Sequence, residues 1–158
     1  MIKPKIKLFI FSLLTAALFA VSCHKKNDII PDVAVDFYID INDPRFVNLN
    51  AIGGSIVVSS LTNNDRYASG FAGSGIIVAR GVDEFFAYDR TCPHDYMVDG
   101  SVVRVEIDQS GFAKAVCPTC KSQFELISFG TPVSGPAQYP LKYYRAMFDG
   151  RFVHVWNN

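Results

Sequence analysis

Three cysteines and one histidine form two short clusters in the second half of the chain. Cys92 and His94 are separated by one proline, and Cys117 and Cys120 are separated by Pro118 and Thr119. Thiolates and imidazole nitrogens suit zinc or an iron–sulfur centre, and do not suit magnesium or calcium. Each cluster begins with Cys-Pro directly after a predicted strand. Two facing loops would therefore present four ligands to one inorganic centre.

The spacing within the first cluster favours a centre with two metals. Only Pro93 lies between Cys92 and His94, whereas zinc ligands in one loop are usually about two to four residues apart. A pair this tight suits adjacent metals, with the cysteine on one iron of a binuclear cluster and the histidine on the other.

The sequence pattern predicts β-strands for the elements that position these residues. From Val33 to Ile41 apolar and polar residues alternate, which is typical of a half-buried strand. Asp149-Gly150 predicts a tight hairpin turn, and no run has the period of a long helix. The composition of 49% hydrophobic and 13% aromatic residues fits one globular domain, so we expect an antiparallel sandwich or small barrel. The further predicted strands are residues 55–59, 75–79, 84–88, 101–107, 112–116, 123–126, 143–147 and 151–156.

The two clusters resemble those of Rieske domains, whose ligand motifs are CxH in one loop and CxxH in a second. Cys92-Pro93-His94 matches the first motif and Cys117-Pro118-Thr119 opens the second. The similarity continues through Phe124-Glu125-Leu126 and the stretch from Pro132 to Leu141, where Ser134 to Ala137 resembles the loop that covers the family's cluster. It extends over about Gly75 to Trp156. The resemblance implies an all-β, Rieske-like antiparallel β-sandwich with a small cluster-binding subdomain of two loops.

The resemblance also implies a 2Fe-2S cluster held by Cys92, His94, Cys117 and Cys120 and used for one-electron transfer. Cys120 stands where the family has its second histidine, and Lys121 stands where a glycine normally follows. A third thiolate adds one negative charge and disfavours reduction. We therefore expect a potential below the Rieske range of roughly −150 to +300 mV.

The N-terminal segment has the organisation of an export signal. Lys3, Lys5 and Lys7 precede an apolar run from Leu8 to Val21, which at about 1.5 Å per residue is too short to span a bilayer core of roughly 30 Å. Ala20-Val21-Ser22-Cys23 resembles the lipobox of bacterial lipoproteins, in which the cysteine is acylated. We expect a signal peptide at 1–22, a lipid-anchored tether at 23–31 and the β domain at 32–158. The mature protein would lie in the bacterial cell envelope, exported and anchored to a membrane through Cys23.

The n-region lacks the twin arginines that mark export of folded proteins, so the chain fits a pathway that threads unfolded proteins. A domain exported in this way arrives without a cluster. The alternative function is a non-redox structural or interaction module in which the site binds zinc, contains a Cys117–Cys120 disulfide or stays empty.

Charge and motifs exclude several other functions. Fifteen basic and fifteen acidic residues provide no broad positive field, so nucleic-acid binding is not expected. No serine–histidine–acid arrangement, phosphate-binding glycine loop or spaced carboxylate pair is present. We expect the chain to be an electron-transfer protein or subunit rather than a stand-alone enzyme. Its redox partner is unknown. His154 is interpreted as an ordinary strand histidine. Asp95 lies beside the first ligand loop, where it could tune the site, but its presence is explained equally well by solvation of the loop.

Overall fold

The computed structural model describes residues 28–63 and 66–157. The predicted signal peptide and Cys23 lie outside this part of the chain. Within it, strands dominate, and they pair antiparallel throughout. The strands are β1 (Asp36–Asp40), β2 (Ser55–Val58), β3 (Ile76–Arg80), β4 (Phe85–Asp89), β5 (Glu106–Ile107), β6 (Lys114–Val116), β7 (Gln123–Glu125), β8 (Thr131–Ser134), β9 (Tyr143–Phe148) and β10 (Phe152–Trp156).

Helical segments are short and lie in the connections. The two α-helices are α1 (Ser60–Asn63) and α2 (Pro93–Asp99), and the 3-10 segments are Pro44–Asn50, Arg66–Ala68 and Phe71–Gly73. None of the helices among the described residues has the length and apolar character needed to cross a membrane.

The strands form two sheets of unequal size. The larger has the order β1-β10-β9-β4-β3-β2, and the smaller has the order β5-β6-β7-β8. Alternation from Val35 through β1 buries Val35, Phe37 and Ile39 in one hydrophobic core on a face of the larger sheet, as the period-2 pattern predicts.

Two hydrophobic cores share the central strands of the larger sheet. Along β3, Ile76 and Val78 belong to one core, whereas Ile77 and Ala79 belong to the other. A strand with both faces buried needs an apolar residue at nearly every position, which explains this continuous run. The second core lies against the smaller sheet and includes Cys92 and Cys117. The two sheets are therefore held together next to the predicted ligand loops.

The predicted all-β antiparallel class is confirmed, and three local features differ from expectation. Residues 101–107 form only the short β5 and one isolated bridge between Thr91 and Arg104. The edge strand β8 was not predicted, and it tolerates Pro132 because an edge strand has unpaired positions. Helix α2 has seven residues, too few for a helical period to show in the sequence.

The segment before β1 is attached to the domain at Ile30. Ile30 is buried, and its carbonyl accepts a hydrogen bond of 2.8 Å from Nζ of Lys142. The same buried ammonium pairs with Asp32 at 2.7 Å.

Candidate metal centre

The first ligand loop leaves the end of β4 and turns into α2. The Cys92 amide donates to the Val103 carbonyl at 2.8 Å, and the Val105 amide donates to the Arg90 carbonyl at 2.7 Å. Pro93 follows Cys92 as the first helical residue, a position where its fixed φ and missing N–H cost nothing. These bonds fix the Cys92 backbone at the junction of strand and helix.

A buried carboxylate organises the chain just before this loop. Asp89 is fully buried at the end of β4, and its oxygens accept four hydrogen bonds. The donors are the Phe71 amide at 2.5 Å, the Thr91 amide at 2.8 Å, the Tyr144 hydroxyl at 2.8 Å and the Ser74 hydroxyl at 2.9 Å. Asp89 thus joins the 3-10 region, β9 and the first ligand loop.

The second ligand loop is the tight turn between β6 and β7. The Cys117 amide donates to the Ser122 carbonyl at 2.9 Å, and the Lys121 amide donates to the Cys117 carbonyl at 3.1 Å. Lys121 has a φ of 62°, in the left-handed region that favours glycine. A glycine at this position, as in the Rieske motif, would adopt this turn without strain.

The two loops bring three thiols and one carboxylate together. Ligand atoms of Cys92, Asp95, Cys117 and Cys120 all lie within 4.8 Å of one another, and this group could hold a metal ion. The Sγ atoms of Cys92 and Cys120 are 3.6 Å apart, and the Cys117 thiol donates to Oδ2 of Asp95 at 2.8 Å. All three cysteines are free.

His94 lies outside that compact group. Its Nδ1 is nevertheless enclosed and has no hydrogen-bond partner among the described residues. A buried polar atom without a partner carries a desolvation cost, which ligation of a metal would remove.

Burial favours the protonated form of the Cys92 and Cys117 thiols in the metal-free site. Desolvation is the main cause that raises the pKa of Cys92 well above its ordinary value. Desolvation, reinforced by the hydrogen bond to Asp95, raises the pKa of Cys117 to about 11. Because thiolates are the metal-binding form, metal uptake at neutral pH must displace these protons.

Ser122 connects the second ligand loop to the segment that covers it. Its hydroxyl accepts from the Cys120 thiol at 3.2 Å and from the Ala137 amide at 3.0 Å. A Cβ added to Gly135, whose φ is +85°, would lie 2.5 Å from Cα of Ser122. The residue at 135 must therefore be glycine for the covering segment to approach this closely.

The donor set fits an inorganic centre in two ways. With a Zn–S bond of about 2.3 Å, two sulfurs on one tetrahedral ion lie about 3.8 Å apart, close to the observed separation of 3.6 Å between Cys92 and Cys120. One ion could thus take three thiolates and the Asp95 carboxylate. A ligand set that includes His94 would need a centre larger than one ion, because His94 lies outside the compact group.

The sequence predicted that the three cysteines share one site, and the structure places their sulfur atoms close together. For Asp95 the sequence left both a tuning role and loop solvation open, and the structure buries Asp95 against Cys117. Ser122 was not among the predicted residues. The signal available for Asp95 was its position three residues after Cys92, one helical turn along α2. His154 lies on β10, paired with Asp36 at 2.7 Å and away from these loops.

Comparisons with known proteins found no matching family model and no matching curated protein. Solved structures gave partial likenesses. The ferredoxin of carbazole 1,9a-dioxygenase from Nocardioides aromaticivorans is 16% identical over 80% of this chain and 100% of that chain, with a TM-score of 0.49. A ferredoxin in complex with the oxygenase of carbazole 1,9a-dioxygenase is 19% identical over 77% and 94%, with a TM-score of 0.48. A Sphingomonas yanoikuyae ferredoxin is 20% identical over 53% and 76%, with a TM-score of 0.41. At these values no residue role is carried over to this chain.

Proposed function

We propose that this protein is a one-electron carrier of the bacterial cell envelope that binds a 2Fe-2S cluster through Cys92, His94, Cys117 and Cys120. The convergence of three thiols, two of them buried, together with the unpartnered Nδ1 of His94 in the first ligand loop, is the observation that carries this proposal. The Cys-Pro-His and Cys-Pro-Thr-Cys spacing adds support. When bound, such a cluster accepts and releases single electrons.

The residues of the chain would keep this centre dry and set its charge. Cys92 and Cys117 are fully buried, whereas Cys120 is partly exposed and Pro118 and Thr119 beside it are exposed. An electron would therefore enter and leave where the proposed ligands Cys120 and His94 are partly exposed and a redox protein can approach. Three thiolates and the nearby Asp95 carboxylate place negative charge around the centre, which lowers its potential below that of a site with two histidines.

We propose further that the mature chain is a lipoprotein. The basic n-region, the short apolar run and the lipobox ending at Cys23 support this proposal. Acyl chains on Cys23, at about 0.8 kcal/mol per buried methylene, would hold the domain on a membrane surface. A Cys23→Ala variant is expected to leave the membrane fraction and to lose incorporation of labelled fatty acid. Unchanged membrane association and labelling would contradict the anchor.

A second candidate is a structural site for one zinc ion. It is favoured by the compact group, in which Asp95 instead of His94 accompanies the three thiols. Zinc has no redox chemistry in proteins and would stabilise the two loops against each other. The protein would then be a non-redox module on the same scaffold.

Metal content separates the two candidates. The full chain, purified anaerobically from membranes, is expected to contain two iron and two sulfide per chain, to be reddish and to give an electron paramagnetic resonance signal on reduction. One zinc per chain, without sulfide, would support the second candidate. Neither metal in protein kept anaerobic throughout would contradict both.

His94 and Asp95 are adjacent in α2 and form a matched pair of variants. For the cluster, His94→Ala is expected to remove or shift the visible spectrum, whereas Asp95→Asn keeps the iron content. For a single zinc ion, Asp95→Asn is expected to weaken binding by tenfold or more, whereas His94→Ala leaves it unchanged. His154→Ala, on a remote strand, serves as the control for general effects of losing an imidazole.

A further inference from the structure

Two sulfur atoms of the site are in contact across the two loops. Sγ of Cys92 and Sγ of Cys120 are 3.6 Å apart, which is van der Waals contact. A disulfide has a bond of about 2.05 Å, so the two sulfurs need to approach by roughly 1.5 Å. The two cysteines lie 28 residues apart in sequence and on different loops.

The third thiol is held by another group. The Cys117 thiol donates its hydrogen to the Asp95 carboxylate at 2.8 Å. This bond directs Cys117 towards α2, although Cys117 and Cys120 are the pair with the Cys-x-x-Cys spacing. In the folded site, then, Cys92 is the favoured partner of Cys120.

Exposure determines the order of reaction. Cys120 is the only one of these three thiols that reaches solvent, whereas Cys92 and Cys117 are fully buried. An external disulfide must therefore meet Cys120 first, and Cys92 then lies in contact with the sulfur that has reacted.

We propose that the metal-free site closes as a Cys92–Cys120 disulfide and leaves Cys117 as a free thiol. The Cys120 thiolate attacks an external disulfide, such as that of an envelope thiol oxidant, forming a mixed disulfide and releasing one external thiolate, which takes up the Cys120 proton. Cys92 then loses its proton, its sulfur attacks the Cys120 sulfur, and the second external thiolate leaves with that proton. Two protein thiols are oxidised by two electrons, and one external disulfide becomes two thiols.

This disulfide would control the loading of the proposed centre, because it occupies two of its ligands. The inference rests on the proposed function only in sharing those ligands. It is tested on metal-free protein, so the disulfide and the metal centre can fail independently.

Peptide mapping can identify the bond. The full chain is stripped of metal by a chelator under reducing conditions, freed of reductant, oxidised with glutathione disulfide and alkylated. Trypsin places Cys92 in residues 91–104 and both other thiols in residues 115–121. The expected product joins these two peptides, and fragmentation between Cys117 and Cys120 locates the alkyl group on Cys117. A loop within residues 115–121, a bond to Cys117 or to Cys23, or alkylation of all three site thiols would overturn the proposal.

Two matched variants and one loading experiment complete the test. Cys117→Ser is expected to keep the cross-link between loops, whereas Cys120→Ser is expected to leave Cys92 and Cys117 both alkylated. Zinc alone is the loading probe: the oxidised wild type is expected to bind less than a tenth of an equivalent, and reduction with dithiothreitol restores binding. Equal zinc binding before and after reduction would refute the control of loading.

Discussion

Two buried polar clusters lie three residues apart in the sequence, and they differ in how their hydrogen-bonding groups are satisfied. Around Asp89, both carboxylate oxygens are fully used by four donors from the protein. Around Cys92, the thiols bond mainly to one another and to Asp95, and Nδ1 of His94 has no partner among the described residues.

This difference separates a structural role from a binding role. Buried polar groups are normally paired within the protein, and an unsatisfied group needs an explanation. The Asp89 carboxylate is fully paired without any ligand, so it acts on the fold. At the thiol cluster, by contrast, Nδ1 of His94 has no partner among the described residues, and the proposed metal centre would supply one.

The largest expected effect is the loss of the metal centre on removal of a buried ligand. Cys117→Ser should reduce bound iron and sulfide to below a tenth of the wild-type content, because a serine hydroxyl is a poor substitute for a thiolate. The metal-free variant should remain within about 1 kcal/mol of wild type in urea unfolding, since the hydroxyl can still donate to Asp95. Full retention of the iron would remove Cys117 from the centre.

The next largest effect should fall on folding at Asp89. Asp89→Ala removes the acceptor of four donors, of which only the Ser74 hydroxyl has another among the described residues, the Gly75 carbonyl, so we expect a loss of about 3 kcal/mol or more in the free energy of unfolding. Asp89→Asn retains one acceptor oxygen and should lose less. Urea unfolding of metal-free protein measures both variants, and a loss below about 1 kcal/mol in Asp89→Ala would contradict the structural role.

The same contrast explains what could be predicted from sequence. Alternation at Val35, Phe37 and Ile39 and the Asp149-Gly150 turn are local signals, and the strands they predict are present. The convergence of Cys92 and Cys117 followed from paired Cys-Pro motifs. The burial of Asp95 against Cys117 depends on how α2 packs on the second loop, and no local pattern encodes that contact. The hydrogen-bond cluster around Asp89 could not be predicted for the same reason, because its four donors come from residues 71, 74, 91 and 144, which are spread along the sequence.

Tyr88 gives a smaller, pH-dependent effect in the second core. Its hydroxyl donates to the Leu126 carbonyl at 2.9 Å, so Tyr88→Phe should cost about 1 kcal/mol at pH 8. Burial raises the pKa of Tyr88 above its ordinary value, whereas a tyrosine in the unfolded chain has a pKa of about 10. Above that pH the unfolded chain loses this proton and the native chain retains it, so wild-type stability falls.

The Tyr88→Phe variant lacks this contribution, and the gap between the two proteins should shrink by roughly 1.4 kcal/mol for each pH unit above about 10. Urea unfolding at pH 8 and pH 11 provides the measurement. Tyr144, whose pKa burial also raises, is present in both proteins and cancels. A gap that stays constant with pH would show that Tyr88 ionises alike in both states.

The smallest change in the free energy of unfolding is expected at an ion pair on the surface. This pair tests whether burial is what makes the polar groups of the two clusters contribute to stability. Asp36 on β1 accepts from Nε2 of His154 on β10 at 2.7 Å, and the Asp36 side chain is 66% exposed. Because water satisfies an exposed carboxylate as well as a histidine does, Asp36→Asn should change the free energy of unfolding by less than about 1 kcal/mol. Replacing Asp36 leaves the His154 ring stacked between Tyr38 and Trp156, so only the pair is removed. A loss as large as that of Asp89→Ala would mean that partner geometry, and not desolvation, sets the contribution of polar groups in this fold.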